Sequence, residues 1–85
     1  MSYQDSTAEE VQFSCAIAAH NGTWDYVYGS SRAVSIRLDQ LRRRYPGAKL
    51  IKRYDNISFA QVSRLRDGVE ARNKGEKVHL DEMVK

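Results

Sequence analysis

The chain carries one cysteine, one proline and one tryptophan in 85 residues. A lone Cys15 excludes an internal disulfide and with it the stapled scaffold of small secreted proteins, so a reducing cytosolic setting is the expectation. Two histidines, His20 and His79, and that single thiol do not fill a closed zinc site; neither a metal nor a cofactor is expected. Long hydrophobic runs are also missing. The longest nearly apolar stretch, Cys15 to Ala19, is far too short to span a bilayer, and Met1 to Glu10 have no apolar core of the kind a signal peptide carries. The expectation is a soluble cytoplasmic protein with no membrane partner. Few glycines and one proline, beside 41% hydrophobic and 29% charged residues, argue against a disordered or collagen-like chain. The length suits one small domain, residues 1–85, with flexible tails at 1–9 and 81–85.

What is abundant is arginine, and it is unevenly placed. Met1 to Ser30 hold four acids and no Lys or Arg, whereas Ser31 to Tyr54 hold eight bases against Asp39 alone. From Asp55 onward six bases and six acids cancel, leaving the net charge of +3 concentrated in the middle of the chain. Arginine offers a planar fork of donors that matches phosphate and carboxylate.

The apolar pattern sets the fold. Val11, Phe13, Cys15, Ile17 and Ala19 alternate with Gln12, Ser14, Ala16 and Ala18, as in a half-buried strand. Asn21-Gly22 follows, the dipeptide best suited to a two-residue hairpin turn, and Trp24 to Tyr28 forms the returning strand. With those two residues as the loop, Ala19 faces Trp24, Ile17 faces Tyr26 and Cys15 faces Tyr28, all on the apolar face. Ser30 or Ser31 then caps a helix whose stripe is Val34, Leu38, Leu41 and Tyr45, stopped by Pro46-Gly47. Lys49 to Tyr54 reads as a short basic strand, so the helix forms a β-α-β crossover with its Val34/Leu41 face on the sheet. Ser58 and Gln61 make a capping box, flanked by Ile57 and Val62 as a staple, and open a helix with the stripe Phe59, Val62, Leu65 and Val69. Gly75 is its C′ residue, while Gly68 weakens it by roughly 1 kcal/mol. A shorter helix followed by a hairpin of Val69 to Arg72 with Lys77 to Leu80 is the alternative; Lys77 to Leu80 otherwise reads as a final edge strand. The expected fold is α+β, a two-layer β-β-α-β-α(-β) sandwich with the helices on one face of a small sheet.

Function is read from the charge. On the first helix Arg32, Ile36, Asp39 and Arg43 lie opposite the apolar stripe, with Arg37 and Arg44 on one flank and Arg42 on the other. Arg42, Arg43 and Arg44 with Lys49, Lys52 and Arg53 form one basic surface if the third strand lies beside the helix end. The candidate binding residues are therefore Arg32, Ile36, Arg37, Arg42, Arg43, Arg44, Lys49, Lys52 and Arg53, with Gln61 and Arg64 on the second helix as secondary contacts to base edges. The partner expected is nucleic acid or a nucleoprotein, held mostly through phosphates. The rival is a protein-interaction module, an inhibitor or adaptor of the size of a phage or mobile-element accessory protein. It would dock the same face, or an edge strand, on an acidic protein surface. A homodimer through an open sheet edge is a further expectation. Catalysis is not expected: His20 and Asp25 lack a nucleophile and an oxyanion donor, Cys15 points into the apolar face, and the glycines do not form a phosphate cradle.

Overall fold

A computed structural model describes residues 12–85. The expected tail at 1–9, and Val11 at the start of the first strand, lie outside the described residues. Three strands, β1 (Phe13–His20), β2 (Thr23–Gly29) and β3 (Lys49–Ile57), alternate with α1 (Ser31–Arg44), α2 (Phe59–Asn73) and a short C-terminal turn of helix, α3 (Leu80–Met83). The architecture is α+β, and the β-β-α-β-α order matches the apolar pattern.

The hairpin forms as the turn chemistry requires. Asn21 and Gly22 take positive φ values of 52° and 78°, and the register pairs Cys15 with Tyr28, Ile17 with Tyr26 and Ala19 with Trp24. β1 is the central strand of the order β2-β1-β3, and both neighbours run antiparallel to it. β2 and β3 are thus parallel to each other but separated by β1, and α1 makes the connection between them. β3 continues to Ile57, three residues past the expected end at Tyr54, by means of irregularities in its pairing. Asn56, at φ 58°, absorbs one of them and brings Ile57 opposite Phe13.

The two helices lie on opposite faces of the sheet, which corrects the expectation of two layers with both helices on one face. Cys15 and Ile17 pack with Ile57, Val62, Leu65, Val69 and Leu80 on the α2 side. Ala16 and Ala18, whose side chains point the other way, pack with Val34 and Leu38 on the α1 side. β1 is therefore buried on both faces from Ser14 to Ala18. Alanines leave room for a helix to approach closely, so the face with the smaller side chains is covered as fully as the aromatic one.

α2 begins with the expected capping box: Gln61 N donates to Ser58 Oγ at 3.2 Å and Ser58 N donates to Gln61 Oε1 at 2.8 Å. It ends in a Schellman arrangement, with Gly75 N donating to Arg72 O at 2.9 Å and Glu76 N to Ala71 O at 3.0 Å. Gly75 has φ 100°, as a C′ glycine should, and the alternative hairpin is absent. Phe59, expected in the buried stripe, is instead 52% exposed. Its angular position on the helix lies to one side of Val62 and Val69, where its ring meets those of Phe13 and Tyr28 at the sheet end. Lys77 to His79 form no strand, and Leu80 opens α3 rather than closing an edge. Residues 81–85, expected to fray, sit against α2. Gln61 Nε2 donates to Val84 O, Arg64 Nη1 donates to Lys85 O at 3.0 Å, and Met83 lies where a Cβ on Gly68 would be 3.3 Å from its Cγ.

The end of α2 meets the outer edge of β2 at Trp24. Trp24 N donates to Asn73 Oδ1 at 2.8 Å, Asn73 Nδ2 donates to Trp24 O at 2.9 Å, and Arg72 donates to Gly22 O at 2.9 Å. The side-chain amide at the end of α2 thus pairs the strand edge at this one residue.

Candidate functional site

α1 is held by its local sequence and by two side-chain anchors. Ser30 Oγ accepts from Ala33 N at 3.1 Å at the N-terminus, and Tyr45 N donates to Leu41 O at 2.8 Å at the C-terminus. Arg42, Arg43 and Arg44 fill the last turn, where cations favour the helix dipole. The C-terminal anchor is aromatic. Tyr45 stacks on His20 with ring centroids 3.9 Å apart and planes 6° from parallel, and His20 Nε2 lies 2.5 Å from Asp25 Oδ2. His20 and Asp25 thus tie the helix end to the hairpin.

The N-terminal anchor is Arg53. Its guanidinium donates to Ser35 Oγ at 3.1 Å, Ser31 O at 3.0 Å and Ser31 Oγ at 2.9 Å, and its Nε donates to Asp55 Oδ1 at 3.3 Å. Ser14 Oγ donates to the same Asp55 oxygen at 2.5 Å. That hydrogen bond holds the Asp55 carboxyl below the usual carboxylate range, partly opposed by desolvation and aided by the Arg53 charge. Arg53 is therefore a bolt between β3 and α1 and is not free for a ligand.

Lys52 also leaves the expected surface. Adjacent strand residues point to opposite faces, so Arg53 turns toward α1 and Lys52 toward α3, where its Nζ lies 3.9 Å from Asp81 Oδ1 and 5.7 Å from the centroid of the Tyr54 ring. A continuous surface through Arg42–Arg44, Lys49, Lys52 and Arg53 is thus ruled out by the pleat. Lys49 is exposed at the start of β3, paired with Ala19. Gln61 and Arg64 lie on α2, across the sheet from α1, and are used by the capping box and by the backbone of Val84 and Lys85.

What remains together is the face of α1. Arg32, Ile36, Arg37, Arg42, Arg43 and Arg44 are all exposed, Ile36 to 48%. Among the described residues none of the five arginines has a carboxylate or hydrogen-bond partner. The ion pairs found involve Lys52, Arg53 and Arg66. The one contact is Arg44 lying 5.9 Å from the centroid of the Tyr45 ring. Arg37 and Arg44 border a shallow groove with Gln40, Leu41 and Val27 between α1 and β2. Helical spacing alone predicts this grouping. The roles of Ser31, Ser35 and Asp55 as partners of Arg53 were missed, although two serines four residues apart on the helix flank toward β3 are the usable signal.

No helix among the described residues is long and apolar enough to cross a membrane. Cys15 is fully buried and its thiol is pushed up to about 11 by desolvation. Comparison of the chain with protein-family models, with curated proteins and with solved structures finds no match in any of the three.

Proposed function

We propose that this protein is a small non-enzymatic binding module that engages nucleic acid, free or in a nucleoprotein, through the phosphate contacts of α1. One observation carries the reading: five exposed guanidinium groups on one helix, none in an ion pair among the described residues and with Asp39 the single acid on that helix. A cationic face of that density attracts a polyanion, and each phosphate neutralised releases counterions. His20 and Asp25 are spent on anchoring α1 and Cys15 is sealed in the core, which supports binding over catalysis. A cytoplasmic accessory or regulatory role suits such a module.

Fluorescence anisotropy with a labelled 20-base-pair duplex, titrated from low to high salt, tests it. The expected result is saturable binding whose log K falls with log salt at a slope of about −2.5 to −4.5, in line with roughly three to five phosphate contacts. A slope near zero, or no binding at low salt, overturns the proposal.

Ile36 favours a second reading. An aliphatic side chain 48% exposed amid arginines resembles the anchor of a protein interface, here one that docks on an acidic protein surface. Under that reading Ile36→Ala abolishes partner capture while Arg43→Ala weakens it slightly; under phosphate binding Ile36→Ala leaves duplex affinity unchanged and Arg43→Ala lowers it. Sedimentation shows whether the chain also forms a homodimer.

A further inference from the structure

α1 stands by itself on its side of the sheet among the described residues, because α2 and α3 share the other side. Val34 and Leu38 are seated on the sheet and Leu41 beside them, so the helix projects as a ridge. Along its crest run Arg32, Ile36, Asp39 and Arg43, all exposed. Arg37 and Arg44 drop to the flank above β2, where they border the groove with Val27, and Arg42 lies on the flank toward β3.

We propose that α1 is a base-reading helix for duplex DNA, lying in the major groove with its crest residues at base edges and its flanking arginines on the two phosphate walls. The inference rests on the phosphate-binding reading above and narrows it to one nucleic acid. The major groove of B-DNA admits an α-helix, about 12 Å against 10–12 Å. Arg32 and Arg43 are eleven residues apart, roughly 16 Å of helix rise, or about five base-pair steps. The chemistry of the crest suits edges rather than backbone. Arginine forks to guanine O6 and N7, a carboxylate such as Asp39 accepts from cytosine N4, and an aliphatic such as Ile36 meets the thymine methyl. An aspartate on a surface that served only phosphates would repel them.

The same geometry disfavours the other polyanions. Single strands are gripped by aromatic platforms beside the cationic groove; here Trp24 and Tyr26 pack into the α2 side of the sheet, and the exposed pair Tyr28 and Phe59 also lies on that side, away from the arginines of α1. Tyr45, the aromatic nearest the α1 face, is stacked on His20. The major groove of A-form RNA is too deep and narrow for a helix to read.

The test is competition anisotropy with the full chain against a DNA duplex, an RNA duplex and a single strand of matched length, together with enrichment from a randomised DNA duplex pool. The expected result is at least a tenfold preference for the DNA duplex and an enriched motif of about five base pairs containing guanine and cytosine. Arg43→Ala should erase the preference at one motif position, lowering affinity tenfold or more for the motif and no more than threefold for random duplex. Arg37→Ala should weaken both alike and reduce the salt slope by about one. Thermal melts of both variants, substituted at exposed sites, confirm that they remain folded. Equal affinity for the three competitors, or binding without an enriched motif, overturns the inference while leaving phosphate binding intact. Absence of binding to all three overturns both.

Discussion

Arg53 donates to Ser35 across the gap between β3 and α1, at 3.1 Å, and so places the strand's most basic side chain in the structure rather than in the solvent. Removing it should loosen α1 without touching the exposed arginines. Arg53→Ala is expected to cost about 1–2 kcal/mol in urea unfolding, since several charge-assisted hydrogen bonds are lost at a partly exposed site. Arg43→Ala should stay within about 0.5 kcal/mol. Duplex affinity should move the opposite way, with Arg43→Ala the more damaging. Equal stability of the two variants would contradict the anchoring role.

The same network predicts an acid dependence. Asp55 has a folded-state pKa below its ordinary value, chiefly through Ser14, so it binds protons more readily in the unfolded chain. Its contribution is present above about pH 4 and disappears as pH falls through the lower folded-state value. Asp55→Asn should therefore be less stable than the parent at neutral pH, with the gap closing in acid. Urea midpoints measured at a series of pH values check this, and a gap that persists unchanged at low pH would refute it.

At the alkaline end the sign reverses. Burial raises the Cys15 thiol to about 11, so the unfolded chain loses that proton first. Stability from Cys15 is complete below about pH 8.5 and is lost as pH climbs toward the raised value. Tyr54, raised by burial and by its hydrogen bond to Asp81, adds a loss of the same sign at higher pH. Cys15→Ala should flatten the first part of this decline. In the parent protein, modification by a thiol reagent should proceed no faster than unfolding, as followed by mass spectrometry.

Gly68 has a packing reason that its propensity conceals. A Cβ there would lie 3.3 Å from Met83 Cγ and 3.9 Å from Leu80 Cδ2, so α3 rests on bare helix backbone. Gly68→Ala should gain less than the roughly 1 kcal/mol that helix propensity allows, and should recover it in a Met83→Ala background. A double-mutant cycle by thermal melting measures the coupling. Strict additivity would show that the two residues do not interact.

Much of the fold was legible because separate signals agreed. At the hairpin, the Asn21-Gly22 turn and the alternation of Cys15, Ile17 and Ala19 with Tyr28, Tyr26 and Trp24 each specify the observed register. At Ser58 and Gln61 the cap and the staple coincide with the start of α2. The layering was not legible, because Ala16 and Ala18 look indifferent in a pattern where only large apolar residues count, yet they seat Val34 and Leu38. In the site, the exposed face of α1 follows from helical periodicity. The separation of Lys52 from Arg53 follows from the two-residue period of a strand, which a sum of charges ignores. The tie between Arg53 and Asp55 depends on the irregular end of β3, which no local signal announces.

The Asn73 amide occupies the outer border of β2 at Trp24. A strand approaching that border has to displace the amide before it can align, so the free margin of β3 is the easier place for a further strand to add.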